Sequence, residues 1–130
     1  MHDIGKSLVP HNTLNKPGAL NEEEWEIMKK HPEYGIEACR EVSLSYKTKF
    51  VIRHHHEKLD GEGYPDKINK IPHYVQLVTC CDIFDALTTN RVYANKRSPF
   101  EAFKLMKENM SHQINLDILA TFIKFMGKNP

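Results

Sequence analysis

The stretch from Tyr74 to Leu87 constrains the fold most, because Val75, Val78, Ile83, Ala86 and Leu87 recur there at the spacing of a buried α-helix. It is the longest apolar-periodic segment of the chain and follows directly on Pro72, so it reads as a central helix around which the rest must pack. The remainder supplies helices. Asn21-Glu22-Glu23-Glu24 has the capping-box form and predicts a helix running to about Lys30. Pro32 suits the first turn of the next, with Ile36, Cys39 and Val42 at helical spacing, and a short helix is expected from Tyr46 to His54. Ser98-Pro99-Phe100-Glu101 repeats the capping logic ahead of Phe103, Leu105 and Met106, and a last helix spans Leu116 to Phe125. No alternating strand pattern or internal repeat interrupts this, so the class is all-α with loops, and 130 residues make one domain. Leu59-Asp60-Gly61-Glu62-Gly63-Tyr64-Pro65 is too rich in turn residues for a regular element and forms a loop of specific shape.

Charge excludes several function classes. Eighteen basic and seventeen acidic residues leave a formal charge of +1, so no global field draws the chain to DNA or a membrane surface. No apolar run approaches the ~20 residues of a membrane span. Cys39, Cys80 and Cys81 form no CxxC pair, which points to a reducing, cytoplasmic setting.

The eight histidines stand mostly beside other chemically able residues. His2 and Lys6 are four apart, so on a helix they share a face with Asp3 alongside. His31 sits at a helix junction before Pro32. His54-His55-His56-Glu57 sets imidazoles side by side, an arrangement that packing does not need and metal coordination explains. Asp82 and Asp85 lie inside the most apolar helix, where a carboxylate is costly unless paired or bound to metal; one is expected as ligand, the other as hydrogen-bonding partner. His2, Asp3, His31, His55, His56 and Asp82 thus form a ligand set without thiolate, suited to iron, manganese or zinc. Two carboxylates and four imidazoles exceed the needs of one tetrahedral ion, so two divalent metals bridged by a carboxylate are expected.

In order along the chain, His-Asp-Ile-Gly-Lys at 2–6, Asn-Lys-Pro-Gly at 15–18, His31-Pro32, His55-His56-Glu57, Asp60-Gly61-Glu62-Gly63-Tyr64-Pro65 and Asp82-Ile83-Phe84-Asp85-Ala86-Leu87 resemble the successive motifs of the HD-GYP family. The resemblance implies an HD-domain helical bundle with an ordered Gly-Tyr-Pro loop, and metal-dependent hydrolysis of cyclic di-GMP to the linear dinucleotide or to GMP. It implies that Asp3 bridges two metals, that His31, His55 and His56 complete one, and that His2 and Asp82 bind the other. Lys6 would steady a phosphate oxygen and Arg91 would contact substrate phosphate. Gly63, Tyr64 and Pro65 would shape the dinucleotide pocket, Gly63 by adopting backbone geometry barred to other residues. Asp85 would orient a ligand or water from behind. The family carries upstream helices with further ligands, so residues 1–130 are expected to be a partial domain whose second metal lacks at least one ligand. Asp66 to Ile71 is shorter than the family's loop, and Val92-Tyr93-Ala94 replaces its usual residues after the arginine. The expected partners are an upstream sensor or receiver domain, a diguanylate cyclase domain, or a second copy. The alternatives are an inactive module that binds nucleotide or protein, and a broader HD-type nucleotide phosphohydrolase, against which Gly63-Tyr64-Pro65 argues.

Other residues receive plainer readings. Trp25, Met28, Phe100, Phe103, Phe122 and Phe125 are assigned to the core, His11 and His112 to the surface, and His73 to a cap or exposed position. His54 is a neighbour of the ligands, and Cys80 and Cys81 pack beside Asp82.

Overall fold

A computed structural model describes residues 1–89 and 95–128. Among them the elements are a 3-10 turn at Ile4–Leu8 and seven α-helices: α1 His11–Leu14, α2 Glu22–Met28, α3 His31–Ala38, α4 Tyr46–His54, α5 His73–Thr88, α6 Pro99–Asn109 and α7 Leu116–Lys128. No strand occurs among the described residues, so the all-α expectation holds.

Local signals set the boundaries. At α2 the Asn21 side chain accepts from the Glu24 amide while Glu24 accepts from the Asn21 amide. Ser98 and Glu101 make the same reciprocal pair at α6. Ser45 accepts from the Thr48 amide at α4, and Asn115 accepts from the Asp117 and Ile118 amides at α7. Each arrangement satisfies amides that lack an intrahelical partner at a helix start. Three boundaries differ from expectation. Residues 2–6 do not form an α-helix; His2 and Asp3 precede a 3-10 turn that brings Gly5 hard against α3. Helix α2 stops at Met28, and α3 stops at Ala38 because Arg40 and Val42 bond to the Glu37 and Cys39 carbonyls of a turn, leaving Val42 exposed.

Helix α5 is shared by two packing units. On one side Cys80 joins Met106 of α6 and Ile114, Ile118 and Leu119 around α7, with Phe84, Phe103 and Phe122 in mutual ring contact. On the other, α5 meets α4, α4 meets α3, and α3 packs along the 3-10 turn. The Thr79 hydroxyl of α5 donates to the His55 carbonyl at 2.8 Å and so ties the end of α4 to the shared helix. The second unit carries the functional side chains.

Several core assignments are corrected. Phe103 and Phe122 pack against the core, but Trp25 is 47 % exposed, Phe100 76 % and Phe125 61 %. Phe100 lies in the first turn of α6, whose buried face is Ala102 and Met106, and Phe125 extends the Ile118 face of α7 beyond the core residues. Cys80 is buried and points into the core rather than toward Asp82; burial, with Cys81 beside it, pushes its thiol up to about 11. Cys81 is exposed.

No helix among the described residues is long and apolar enough to cross a membrane. Arg91 and the Val92-Tyr93-Ala94 segment lie outside the described residues.

Candidate metal centre and adjoining cleft

Two rings at the centre are oriented by main-chain carbonyls. His31 Nδ1 lies 2.8 Å from the Met28 carbonyl oxygen, and His55 Nδ1 lies 3.0 Å from that of Ile52. A carbonyl only accepts, so in both rings Nδ1 carries a proton and Nε2 is the nitrogen left facing the centre. Those Nε2 atoms nevertheless stand 3.2 Å apart, and His56 Nε2 is 3.1 Å from that of His31. Lone pairs converging this closely repel unless a proton or a cation lies among them. The carboxylate geometry completes the argument: Asp3 Oδ1 is buried without a hydrogen-bond partner, 3.4 Å from His31 Nε2 and 3.5 Å from His55 Nε2. One ligand atom from each of Asp3, His31, His55 and His56 falls within 4.8 Å of every other, which suits a nitrogen- and oxygen-ligated divalent ion.

A second group adjoins it. His2 Nε2 is 3.1 Å from Asp82 Oδ1 and 3.4 Å from Asp3 Oδ2, and His2, His55 and Asp82 offer ligand atoms within 4.8 Å of one another. His55 is thus in reach of both groups, but with Nδ1 committed it has one lone pair to give. Asp3 has two oxygens and turns one toward each group, the disposition of a bridging ligand. Lys6 Nζ donates to Asp3 Oδ2 at 3.1 Å and sets a cation at the rim.

The charges follow from this packing. Burial raises the Asp3 carboxyl, but the neighbouring His31, His55 and Lys6 side chains outweigh it and hold the group far below the usual carboxylate range. Burial, then the adjacent His55 and His31, pushes His56 down to about 2. Its unfolded value is about 6.5, so the native state keeps this ring neutral and the unfolded state takes up the proton first. The stabilisation from the neutral ring is fully present above about pH 6.5 and is lost as pH falls toward 2. Urea denaturation of the metal-free chain at pH 7.5, 6 and 5 (about one to two units apart) checks this. A level profile below 6.5 would show that His56 is already protonated in the native state.

The Gly-Tyr-Pro loop is anchored by Glu57, a residue to which the sequence reading gave no role. Its side chain is buried and accepts from the Asp66 amide at 2.6 Å and the Ile68 amide at 3.1 Å, while Arg53 grips the Asp66 carboxylate with two bonds at 2.7 and 2.8 Å. The signal was present: a loop dense in turn residues has free amides, and Glu57 is the carboxylate beside it. His54, expected as a mere neighbour, is buried between Glu57 and Asp66 at 3.6 and 3.5 Å. In Glu57→Gln an amide NH₂ must face one of the two backbone N–H groups; the expected cost is about 1–3 kcal/mol. Equal urea midpoints for variant and parent would contradict that account.

Gly63 is required for another reason than the one expected. Its φ is not positive, whereas those of Gly61 and Gly18 are. A Cβ on Gly63 would stand 2.5 Å from Glu57 Cα, the His56 carbonyl oxygen and the Lys58 nitrogen, so close approach rather than backbone freedom demands glycine. That approach lays Tyr64 on His56, with ring centroids 4.9 Å apart and planes at 19°. Burial and the nearby Asp82 and Asp3 keep the Tyr64 phenol protonated, its pKa above the usual value.

The fold therefore brings His2, Asp3, Lys6, His31, His55, His56, Asp82 and Tyr64 together. It does not bring Asp85 to them: that carboxylate is exposed and accepts from the Thr89 hydroxyl at 3.3 Å. Asp85 sits nearly one turn further along α5 than Asp82 and pairs with Thr89 there instead of reaching the centre. His11, His73 and His112 are exposed, as read.

Comparison with known proteins agrees with this geometry. A family model described as an HD domain matches residues 1–118. The chain is 36 % identical, over its whole length and 32 % of the relative's, to a cyclic di-GMP phosphodiesterase of Pseudomonas aeruginosa. It is 37 % identical, over 87 % of its length and 22 % of the relative's, to 3′3′-cGAMP-specific phosphodiesterase 2 of Vibrio cholerae. Over 72 % of its length and 26 % of the relative's, it is 39 % identical to a cyclic di-GMP phosphodiesterase response regulator of Xanthomonas campestris. The chain spans about a third or less of the length of these relatives. An all-helical fold, two adjoining ligand groups that share His55, and these matches together show that the chain belongs to the HD-GYP family of HD domains.

Proposed function

We propose that these residues form the catalytic part of a metal-dependent phosphodiesterase that hydrolyses cyclic di-GMP to the linear dinucleotide or to GMP. The observation that carries the reading is the convergence of His31, His55 and His56 Nε2 on a buried, unpartnered Asp3 oxygen whose other oxygen faces His2 and Lys6.

In this reading Asp3, His31, His55 and His56 hold one divalent ion, and His2, Asp3 and Asp82 hold the other, with iron or manganese favoured and zinc accepted by the same donors. Metals so placed polarise a phosphoryl group and activate water near neutral pH. The protein's own residues do the rest. His31 and His55 hold their ring planes through Nδ1, so the donor set is arranged before substrate arrives. Lys6, at the rim, meets a phosphate oxygen as charge develops on it and needs no reorganisation to do so. Tyr64, a neutral phenol stacked on His56, closes one side of the cleft against water. Pro65 follows it and fixes the loop's return toward Glu57, and Arg91 is assigned to substrate phosphate by its place in the family motif. The extra length of the relatives has room for a sensor or receiver domain or a diguanylate cyclase domain; the match to a response regulator favours a receiver. Pairing with a second copy and a cytoplasmic location belong to the same proposal.

Anaerobic reconstitution with Fe(II) or Mn(II), elemental mass spectrometry and chromatography of products test it together. Metal in the protein and linear dinucleotide in the products are expected. A loaded protein that leaves cyclic di-GMP intact but hydrolyses nucleoside triphosphates would replace this reading with the broader phosphohydrolase one.

A further inference from the structure

A further meeting of imidazole and carboxylates lies outside the cluster, where the end of α4 faces the residue that follows Pro65. Ligand atoms of His54, Glu57 and Asp66 fall within 4.8 Å of one another, and none of the three residues belongs to the groups described above. His31 and His55 direct Nδ1 at main-chain carbonyls, but His54 Nδ1 is buried with no hydrogen-bond partner, on a side chain only 9 % exposed. It faces Glu57 Oε1 at 3.6 Å and Asp66 Oδ2 at 3.5 Å. Hydrogen bonds from N–H to oxygen run to about 3.2 Å, so neither contact is one. Two ligands of a tetrahedral zinc ion, each bound at about 2.0 Å, stand roughly 3.3 Å apart, close to the spacing found here.

The carboxylates are oriented for the same task. Glu57 Oε1 accepts from the Asp66 amide at 2.6 Å, and Asp66 Oδ2 accepts from Arg53 Nε at 2.8 Å. Each bond fixes its oxygen and leaves it a lone pair, as the outer partners of metal ligands do. The Arg53 guanidinium also holds the Asp66 carboxyl below its ordinary range, so that group stays ionised. One guanidinium against two carboxylates leaves net negative charge around Nδ1, which attracts a cation. Asp66 is 34 % exposed, so water reaches the remaining coordination position. An imidazole with two carboxylates and an open fourth position suits zinc; magnesium and calcium favour oxygen alone, and manganese and iron(II) bind such donors less tightly.

We infer that His54, Glu57 and Asp66 form a separate zinc site that pins the Gly-Tyr-Pro loop to the end of α4. Its ion holds the loop rather than meeting substrate, so the inference does not depend on what the cluster hydrolyses.

The metal-free chain is titrated with Zn(II) beside His54→Asn and Asp66→Asn, with bound metal counted by elemental mass spectrometry and amide hydrogen exchange followed by NMR. Asparagine at 54 places an N–H near the former Nδ1, so the carboxylates keep a polar partner but lose a ligand. Asp66→Asn, at a partly exposed position, gives the same reading should the first variant fail to fold. The parent is expected to bind one more zinc per chain than either variant, with Mn(II) uptake by the cluster equal in all three. In the parent alone, zinc at about ten times its dissociation constant is expected to slow exchange at the Asp66 and Ile68 amides about 10-fold, because opening the loop releases the ion. Equal zinc counts in parent and variants, or exchange at those amides unmoved by zinc, would overturn the site. Loss of manganese together with zinc in the variants would overturn its separateness, since these residues would then serve the cluster.

Discussion

Asp3→Asn is expected to lower metal affinity and cyclic di-GMP turnover by more than about 100-fold, beyond the 10–100-fold that partners of metal ligands typically account for. The reason is the division of labour between its two oxygens. Oδ1 is buried against His31 and His55, and Oδ2 faces His2 and Lys6, so each side of the centre depends on the same carboxylate. Asparagine keeps the shape but loses the charge and one acceptor. Its amide N–H groups can meet the lone pairs on His31 and His55 that a cation would otherwise fill. The variant is therefore expected to fold without metal while failing to load it. Elemental mass spectrometry beside a denaturation curve separates these effects; a full metal complement with undiminished turnover would remove Asp3 from the centre.

Gly5→Ala is expected to destabilise the metal-free chain by about 3 kcal/mol, the upper part of the range for overpacking, because the obstacle is main chain. A Cβ at this position falls on the carbonyl of His31 and the amide nitrogen of Gly35, inside van der Waals contact with both. Neither can swing aside as a side chain would, so the 3-10 turn must lift from α3. Asp3 lies just ahead of that turn and His31 opens α3, so the same displacement separates two of the residues proposed to hold one ion. Chemical denaturation reads the first effect and metal stoichiometry the second. A variant with the parent's midpoint would mean that the turn and α3 do not touch as described.

Much of the centre was legible in the sequence because its evidence is local. Adjacent imidazoles at 54–56 and a carboxylate at 82 within an apolar helix are anomalous without knowledge of any distant partner, and the structure brings His55, His56 and Asp82 together with His2, Asp3 and His31. The misses concern relations across the chain. The periodicity around Trp25, Phe100 and Phe125 shows that an apolar face exists but not whether another element covers it, and all three are substantially exposed. Gly63 looked like a residue chosen for its dihedral freedom. Its actual constraint is the approach of residues 56–58, a distance that no turn signature encodes. Asp85 shares a helix with Asp82, yet only the placement of α5 against the end of α4 determines which carboxylate faces the histidines.

The carbonyls that orient His31 and His55 lie at the ends of helices. Met28 is the last residue of α2, and Ile52 lies in the final turn of α4, where backbone oxygens run out of intrahelical amides. Each imidazole N–H therefore does for its helix what a capping side chain does, and the rings are part of how these helices stop. A domain whose ligands double as helix stops keeps them in register when the ion leaves. Unlike a small zinc-dependent module that unfolds on chelation, this one should release and exchange the proposed metal with the scaffold standing. The ion it carries would then follow the supply around it as much as the order in which the chain folded.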